Sequence, residues 1–535
     1  MKSYKNYILL FFLTILTIFS LRIKLTEIDR DNSGSRLYQA FGVFACSSDN
    51  NNGTEPEPQE PELVIAPQEL YFGLIPEGHH ADRDYKLSNI GKGALDINSF
   101  TIEGNNSDQF LLTRNPATLH LEPYTSIVFG VDFMPKTSGN FSAQIKLNSN
   151  NSTSPDVIPL SGGGTSVGGD VVIFERIIGG LDSDGSSSVA LVSDGGYLLA
   201  GSTTDTLEEV TVAELTRLDM YGDVIWRKQY PGDGTSSFSD LLIETNGSII
   251  AVGWTATAPG RDPDIYAVNT DADGNLIWET IYGELEKDEA HALIKAHDGS
   301  YILACETNNT EASGGIKDAM LVKMSAGGSV IWKKLYGTTE GEDARSVAPT
   351  IDGGYVFTGI QSIGATGFDI YFVKTDAEGN KVWEKNYPNG DVANSLVSTD
   401  DEGFILAGYR LAEGLGGREV YIVKTSSTGD TLWTKTFGGI NAEEASSIIQ
   451  TSDLGYLIAG RTGSFGAGGD DVYLIKLDNS GAESWVRYYG GKAGDHASCV
   501  REISGDGYIV TGGTGSFGGG SNIYVLKLNA DGLLQ

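Results

Sequence analysis

Six acidic residues recur at one place in a repeating sequence, just before the small residues that open a strand: Asp184, Glu289, Asp343, Asp391, Glu444 and Asp495, with Asp233 further back. Converging carboxylates can bind a hard cation such as calcium through oxygen, or dock a basic partner. The alternative is that each acid caps its own turn by accepting backbone N–H groups, since a repeated turn supplies one acid per repeat. The six histidines show no HExxH or comparable ligand spacing, and the three cysteines are too scattered for a disulfide framework or a thiolate metal site. The glycine-rich stretches GSFGAGGD from Gly463 and GSFGGGSN from Gly515 lack the strand-to-helix setting of a phosphate cradle. Asp271-Ala272-Asp273-Gly274 opens like a calcium loop but has no distal glutamate, so it reads as a turn. Trp254, at the exit of a second strand, could stack on a sugar or anchor a loop.

The elements that must hold these residues repeat. Asp471 to Gly491, DVYLIKLDNSGAESWVRYYGG, recurs from Asp264, Asp318, Asp369 and Glu419 as two strands joined by a turn. Its tryptophan marks each repeat: Trp226, Trp278, Trp332, Trp383, Trp433 and Trp485, at gaps of 52, 54, 51, 50 and 52 residues. Regular spacing of this size means blades or solenoid turns. An apolar strand ending in a small residue occurs seven times, from Gly195, Gly247, Gly299, Gly353, Glu402, Leu454 and Asp506.

Seven of one marker against six of the other is resolved at the front of the array. Phe174 to Gly180 aligns with Trp433 to Gly439, so Phe174 takes the tryptophan slot. The sequence ends at Gln535, one residue before the next tryptophan would fall after Gly532. The expectation is a ring whose first strand completes the last blade, which removes the exposed edges of an open stack. In the sixth repeat the four strands are expected at Ala445 to Gln450, Tyr456 to Thr462, Asp471 to Leu477 and Ser484 to Tyr489. Packing of the tryptophan between blades predicts that Trp433→Ala costs ~3 to 5 kcal/mol.

Glycine at 70 residues against 15 prolines, with hardly any helical periodicity, points to an all-β chain of short strands and tight turns. A net charge of -34 repels nucleic acid and anionic headgroups and attracts cations and basic partners. Lys2 and Lys5 precede the apolar run Tyr7 to Leu21, which reads as a secretory signal and is short for a ~20-residue span. Residues 47–62 are polar and acidic, an extended tether with nothing to pack.

Val43-Phe44-Ala45-Cys46 resembles the lipobox of bacterial lipoproteins, which implies a lipid on Cys46; a free buried cysteine is the alternative. Residues 63–164 resemble the ASH/Hydin-like immunoglobulin-type domain, through Phe72-Gly73, Leu87 to Gly91, Leu121-Glu122-Pro123, Val131 to Pro135 and Ile158 to Gly163. The resemblance implies a β-sandwich acting as a spacer or protein-binding module without an active site. The turn and tryptophan of each repeat, as in Leu477 to Trp485, resemble the tryptophan-docking motif of quinoprotein propellers and outer-membrane assembly lipoproteins. The motif is structural in those proteins. Quinoprotein catalysis also needs a calcium-bound quinone, a catalytic aspartate and often a cysteine pair; no Cys-Cys occurs here and no calcium triad can be matched.

The sequence therefore leads us to expect an N-terminal signal or anchor (1–46), a tether (47–62), a sandwich (63–164) and a seven-bladed β-propeller (171–535) docked through Phe174 and the six tryptophans. The six acids are expected as one ring at the mouth of the propeller channel, and the expected role is non-catalytic: an exported, envelope-anchored monomer presenting a propeller face to a protein or glycan partner. Two alternatives stand beside it: a propeller-based enzyme, either a quinoprotein-like oxidoreductase or a polysaccharide lyase, and a carbohydrate-binding surface module.

Overall fold

Alternation of apolar and polar residues sets the N-terminal strands. In Ala81–Asn89, Arg83, Tyr85, Leu87 and Asn89 are buried and the residues between them are not, as expected of a sheet with one face in a core. A computed structural model of the protein describes residues 60–534, apart from 115–119, 168–171, 206–209, 257–261, 284–285, 309–316, 365–366, 388–390, 412–416 and 519. The signal segment, Cys46 and most of the tether lie outside the described residues.

The sandwich comprises β1 (Leu63–Ala66), β2 (Leu70–Pro76), β3 (Ala81–Asn89), β4 (Leu95–Glu103), β5 (Phe110–Arg114), β6 (His120–Leu121), β7 (Ser126–Phe133), β8 (Gly139–Ser149) and β9 (Asp156–Thr165). One sheet has the order β1-β3-β7-β5 and the other β2-β9-β8-β4-β6. Their inner faces enclose a core that includes Phe72, Tyr85, Phe129, Phe133, Leu147 and Ile158. The buried Asn89 pins the turn after β3, donating to the carbonyls of Gly93 (2.8 Å) and Leu121 (3.1 Å) and accepting from Gly91 N–H (3.1 Å).

From Ser183 onward the chain folds into four-stranded antiparallel sheets, the first formed by Ser183–Leu191, Tyr197–Asp205, Val210–Leu218 and Val224–Tyr230. Six such sheets are contiguous in sequence. The seventh takes three strands from the C-terminal end, Asp495–Ile503, Gly507–Thr514 and Asn522–Leu528, and its fourth is β10 (Phe174–Ile178). We number these blades 1 to 7. Phe174 pairs with Lys527, the register that places Trp485 opposite Lys476 and Trp433 opposite Lys424. The strands of blade 6, Glu443–Gln450, Tyr456–Thr462, Asp471–Leu477 and Glu483–Tyr489, begin at most two residues from their expected starts.

The first strand of each blade lies against the first strands of its neighbours, and that of blade 7 lies against that of blade 1, so the ring is shut. Hydrogen bonds bridge successive blades there: Leu396 N–H to Ser346 Oγ (3.1 Å), Ile448 N–H to Ser395 Oγ (3.1 Å) and Val500 N–H to Ser447 Oγ (3.3 Å). Second and third strands, such as Tyr456–Ala459 and Asp471–Leu477, are buried on both faces and so lack alternation.

Each aromatic marker packs on the turn glycine of the next blade: Phe174 on Gly222, Trp226 on Gly274, and so on to Trp485 on Gly532. These glycines have φ of +70° to +83°, and a Cβ on any of them would lie 2.5–3.0 Å from the ring. Glycine is therefore required twice over, for the left-handed turn and for the ring's approach. The tryptophans are half-buried whereas Phe174 is fully buried, so the cost of Trp433→Ala falls to about 2–3 kcal/mol, below the range expected from sequence.

The sandwich is welded to blade 7. β2 pairs antiparallel with β10, Leu74 opposite Glu175, so one sheet of nine strands runs from the propeller into the sandwich. Gly73 (φ +83°) lies so close to the Glu175 carbonyl that any Cβ would collide with it. Tyr71 and Tyr524 donate from opposite sides to the two oxygens of Glu175, Tyr71 at 2.5 Å. A second contact joins the loop after β2 to blade 1: His79 stacks on Tyr221 (4.2 Å) and bonds Asp223 (2.5 Å), which also holds Arg176 (2.6 Å).

Candidate functional site

The six acids expected to form one ring at the channel mouth occupy two different positions. The first strand of a blade carries a bulge, for example between Ala290 and Ala292, Ala445 and Ser447, or Ala497 and Cys499. Counted from it, Asp184, Asp391 and Asp495 stand two residues before the bulge, whereas Glu289 and Glu444 stand one before; Asp343 matches Glu444, since Glu342-Asp343-Ala344 aligns with Glu443-Glu444-Ala445. Neighbouring residues of a strand point to opposite faces, so the single acidic ring is corrected to two sets. The small residue that starts each strand was a sound landmark, but a one-residue offset between repeats cannot be seen without the pairing.

In the first set the described side chains are buried. Its members in blades 3, 4 and 6 are Asp288, Glu342 and Glu443, buried like Asp184 and Asp495. Glu443 accepts from Gly439 N–H (2.8 Å), Ser464 N–H (3.1 Å) and the Thr462 hydroxyl (3.0 Å), and Asp495 accepts from Gly491 N–H (2.8 Å) and Ser516 Oγ (2.5 Å). They tie the loop entering the blade to the loop between its second and third strands. Asp391 pairs through its backbone with Arg410, and its side chain lies outside the described residues. Asp233, in the second blade, donates its backbone N–H to the Thr255 hydroxyl oxygen (3.2 Å).

The second set sits in a network of both charges. Lys287 pairs with Glu289 (3.1 Å) and with Glu306, and Lys317 bridges Glu306 (2.8 Å) and Asp343 (3.0 Å). Arg345 joins Asp343 (3.2 Å). In blade 6, Glu444 is held by Arg418 and by Arg461 (2.9 Å), which also grips Asp470 (2.7 Å). Burial pushes the Glu306 carboxyl up, but His291, Lys287 and Lys317 outweigh it and hold the group well below the ordinary carboxylate range. Glu289, His291 and Glu306 stand close enough to share a metal ion, yet an entering cation would have to displace two ammonium groups. His79, Asp219 and Asp223 have metal-like spacing too, but Arg176 already neutralises Asp223. Calcium finds no better cradle at Asp271, whose carboxylate accepts from Asn275 and Asp273 within its own turn.

Sequence reasoning missed a cleft of about 1040 Å³ between the sandwich and blade 1, lined by Asp84, Lys86 and Val128 on one side and Asp184, Glu214 and Arg227 on the other. Arg227 bridges the two buried carboxylates, Asp184 at 2.5 Å and Glu214 at 2.7 Å. Burial pushes Glu214 above the usual carboxylate range against the pull of Arg227. The signal was present: the position of Glu214 holds tyrosine in five other blades, Tyr266, Tyr371, Tyr421, Tyr473 and Tyr524. Blade 1 departs from the repeat where it faces the sandwich. Trp254, in contrast, is a half-buried residue inside the strand Ile249–Ala256 rather than in a loop.

Residues 61–162 match the HYDIN/CFA65/VesB-like Ig-like domain. No curated protein matches the chain. Among solved structures, the Ig-like domain is similar to the ASH/PapD-like domain 7 of human CEP192 (15% identity, 23% of this chain, 99% of that chain, TM-score 0.16). The rest of the chain is similar to the Pan2 WD40 domain of Neurospora crassa (11% identity, 64% and 89% covered, TM-score 0.41). It is also similar to the β-propeller domain of the Trilobed protease of Pyrococcus furiosus (10% identity, 65% and 93% covered, TM-score 0.37).

Proposed function

We propose that the chain is a non-catalytic, exported and envelope-anchored binding or scaffold protein, whose Ig-like domain holds a propeller at a set angle so that one propeller face meets a protein or glycan partner. The observation that carries this reading is the nine-stranded sheet through β2 and β10. A hinge would let the propeller turn; a shared sheet with Tyr71 and Tyr524 on one carboxylate does not. The basic-then-apolar start and Cys46 support export and anchoring. We also infer that the blades are of the tryptophan-docking type, on the strength of the ring-on-glycine contact repeated around the ring.

The test is capture of cross-linked envelope proteins by the full chain, compared with a variant carrying Arg345→Ala and Arg461→Ala at the mouth. Loss of a specific partner in the variant supports the reading; identical or empty captures oppose it. Retention in the envelope should fail in Cys46→Ala if the anchor is a lipid.

One observation favours an enzyme lodged in the channel: Lys287, His291, Lys317 and Arg345 gather around Glu306 and Asp343. The three cations among them are tied to Glu289, Glu306 and Asp343, which suits a structural network better than a base. Turnover of an anionic polysaccharide, lost in His291→Ala, would revive the lyase reading, and a glycan array tests the carbohydrate-binding one.

A further inference from the structure

At the rim of each blade one third-strand residue stands beside one outer-strand residue, and two blade junctions have a groove there. Between blades 6 and 7 these are Tyr524 and Glu175, and the molecule has already filled that groove with a strand of its own. Tyr71 of β2 enters it, packs in the same apolar cluster as Tyr489, and takes the Glu175 oxygen that Tyr524 leaves.

The groove between blades 1 and 2 is built from the same pair and stands open. Tyr266 donates to Glu279 Oε2 (2.8 Å), and Oε1 of Glu279 receives no hydrogen bond among the described residues. Tyr230, the counterpart of Tyr489, forms the opposite wall, and with Pro231 and Leu276 it bounds a space of about 470 Å³. That is within the range of small-ligand sites, ~300–1,000 Å³. The outer strand Leu276–Tyr282 ends its sheet, so its backbone is free to pair, and Leu276 and Ile277 are exposed.

Other rim positions differ. Met320 with Lys333, Tyr421 with Thr434 and Tyr473 with Val486 offer no carboxylate, and Glu384 beside Tyr371 is neutralised by Lys381 (2.5 Å).

We propose that the groove between blades 1 and 2 is a docking site for an extended segment of a partner protein that carries a tyrosine. The segment adds antiparallel to Leu276–Tyr282 as β2 adds to β10, and its tyrosine hydroxyl donates to Glu279 Oε1. The site depends neither on the envelope location nor on the channel-mouth face, so its failure would leave the proposed function untouched.

The probe is a dye-labelled peptide with the sequence of Glu69 to Pro76, ELYFGLIP, added to the full chain and followed by fluorescence anisotropy. Saturable binding is expected, weakened at least tenfold by phenylalanine in place of the peptide's tyrosine and likewise by Glu279→Ala. Glu279 is exposed, so that variant should melt with the parent. Three results would overturn the proposal: no saturable binding, binding indifferent to Glu279→Ala, or binding lost in Glu384→Ala instead.

Discussion

Blades 6 and 7 share one plan for three strands and part company at the fourth. Both carry a capping acid, Glu443 or Asp495, over a glycine-rich loop, and both set a phenylalanine of that loop beside a third-strand tyrosine, Phe465 with Tyr473 and Phe517 with Tyr524. In blade 6 the outer strand follows directly and its own Tyr488 covers Phe465 (5.4 Å). In blade 7 the outer strand is β10, Ile177 takes the place of Tyr488, and Phe517 is covered by Tyr71 of the sandwich (4.8 Å). Glu175 likewise replaces Val486. The departures from the repeat are thus the positions that receive the second domain, and a repeat protein can be read for its contacts by its exceptions.

That contrast can be broken in graded steps. Removing residues 174–178 should have the largest effect, leaving blade 7 three-stranded and abolishing the single cooperative transition of the ring in a denaturant melt. Phe174→Ala should cost ~3–5 kcal/mol, more than Trp433→Ala although phenylalanine is the smaller ring, because Phe174 is fully buried. Equal costs in urea titrations would show that closure adds nothing to an ordinary blade contact.

Tyr71→Phe should cost about 1.5–3 kcal/mol through the bond lost to a charged acceptor, read as faster hydrogen exchange confined to β2 and β10. Burial raises the Glu175 carboxyl despite the two tyrosine hydroxyls. A folded-state value above the unfolded one means that the native state binds the extra proton, so this group's contribution declines as pH rises from the unfolded value, ~4.3, to the folded one. Glu175→Gln should flatten that decline in melts taken across the window; an unchanged slope would exclude Glu175 as its source.

The smallest effect lies in the turns on the opposite side of each blade. The bond from Lys374 lowers Asp352 to about 2. Here the folded value is depressed, so the stabilisation is present above ~3.9 and lost as pH falls toward 2. With Asp352 over half exposed, solvent screening keeps it below ~1 kcal/mol, and Asp352→Asn should remove it. Blade 2, which has Asn246 and Asn269 at these places, is the natural control.

The strands and the closing phenylalanine were legible because their signals are local: a glycine turn four residues before an aromatic, and a buried run ending in a small residue. Phe174 announced its place through the aligned Ile178-Gly179-Gly180. The two levels of acids were not legible, since the offset between Glu443 and Glu444 appears only once Ala445 is paired with Gly460. Nor was the joint between the domains. Tyr71 and Glu175 lie 104 residues apart and Glu175 and Tyr524 lie 349 apart, and neither pattern of spacing nor charge links them. The charge network around Glu306 escaped for a similar reason, because only the folded chain shows Lys317 reaching Asp343 of the next blade, and Arg418 reaching Glu444 from the equivalent position.

The nine-stranded sheet also fixes an order of events during synthesis. β2 and β10 emerge first, and the strand that pairs with β10, Asn522–Leu528, follows much later: Tyr524 lies 349 residues beyond Glu175. Until then the nascent chain carries an unpaired edge beside its Ig-like domain, open to association with any other strand. A product that stops before Asn522 would keep that edge exposed for its whole lifetime, so synthesis through this strand doubles as a condition for avoiding aggregation.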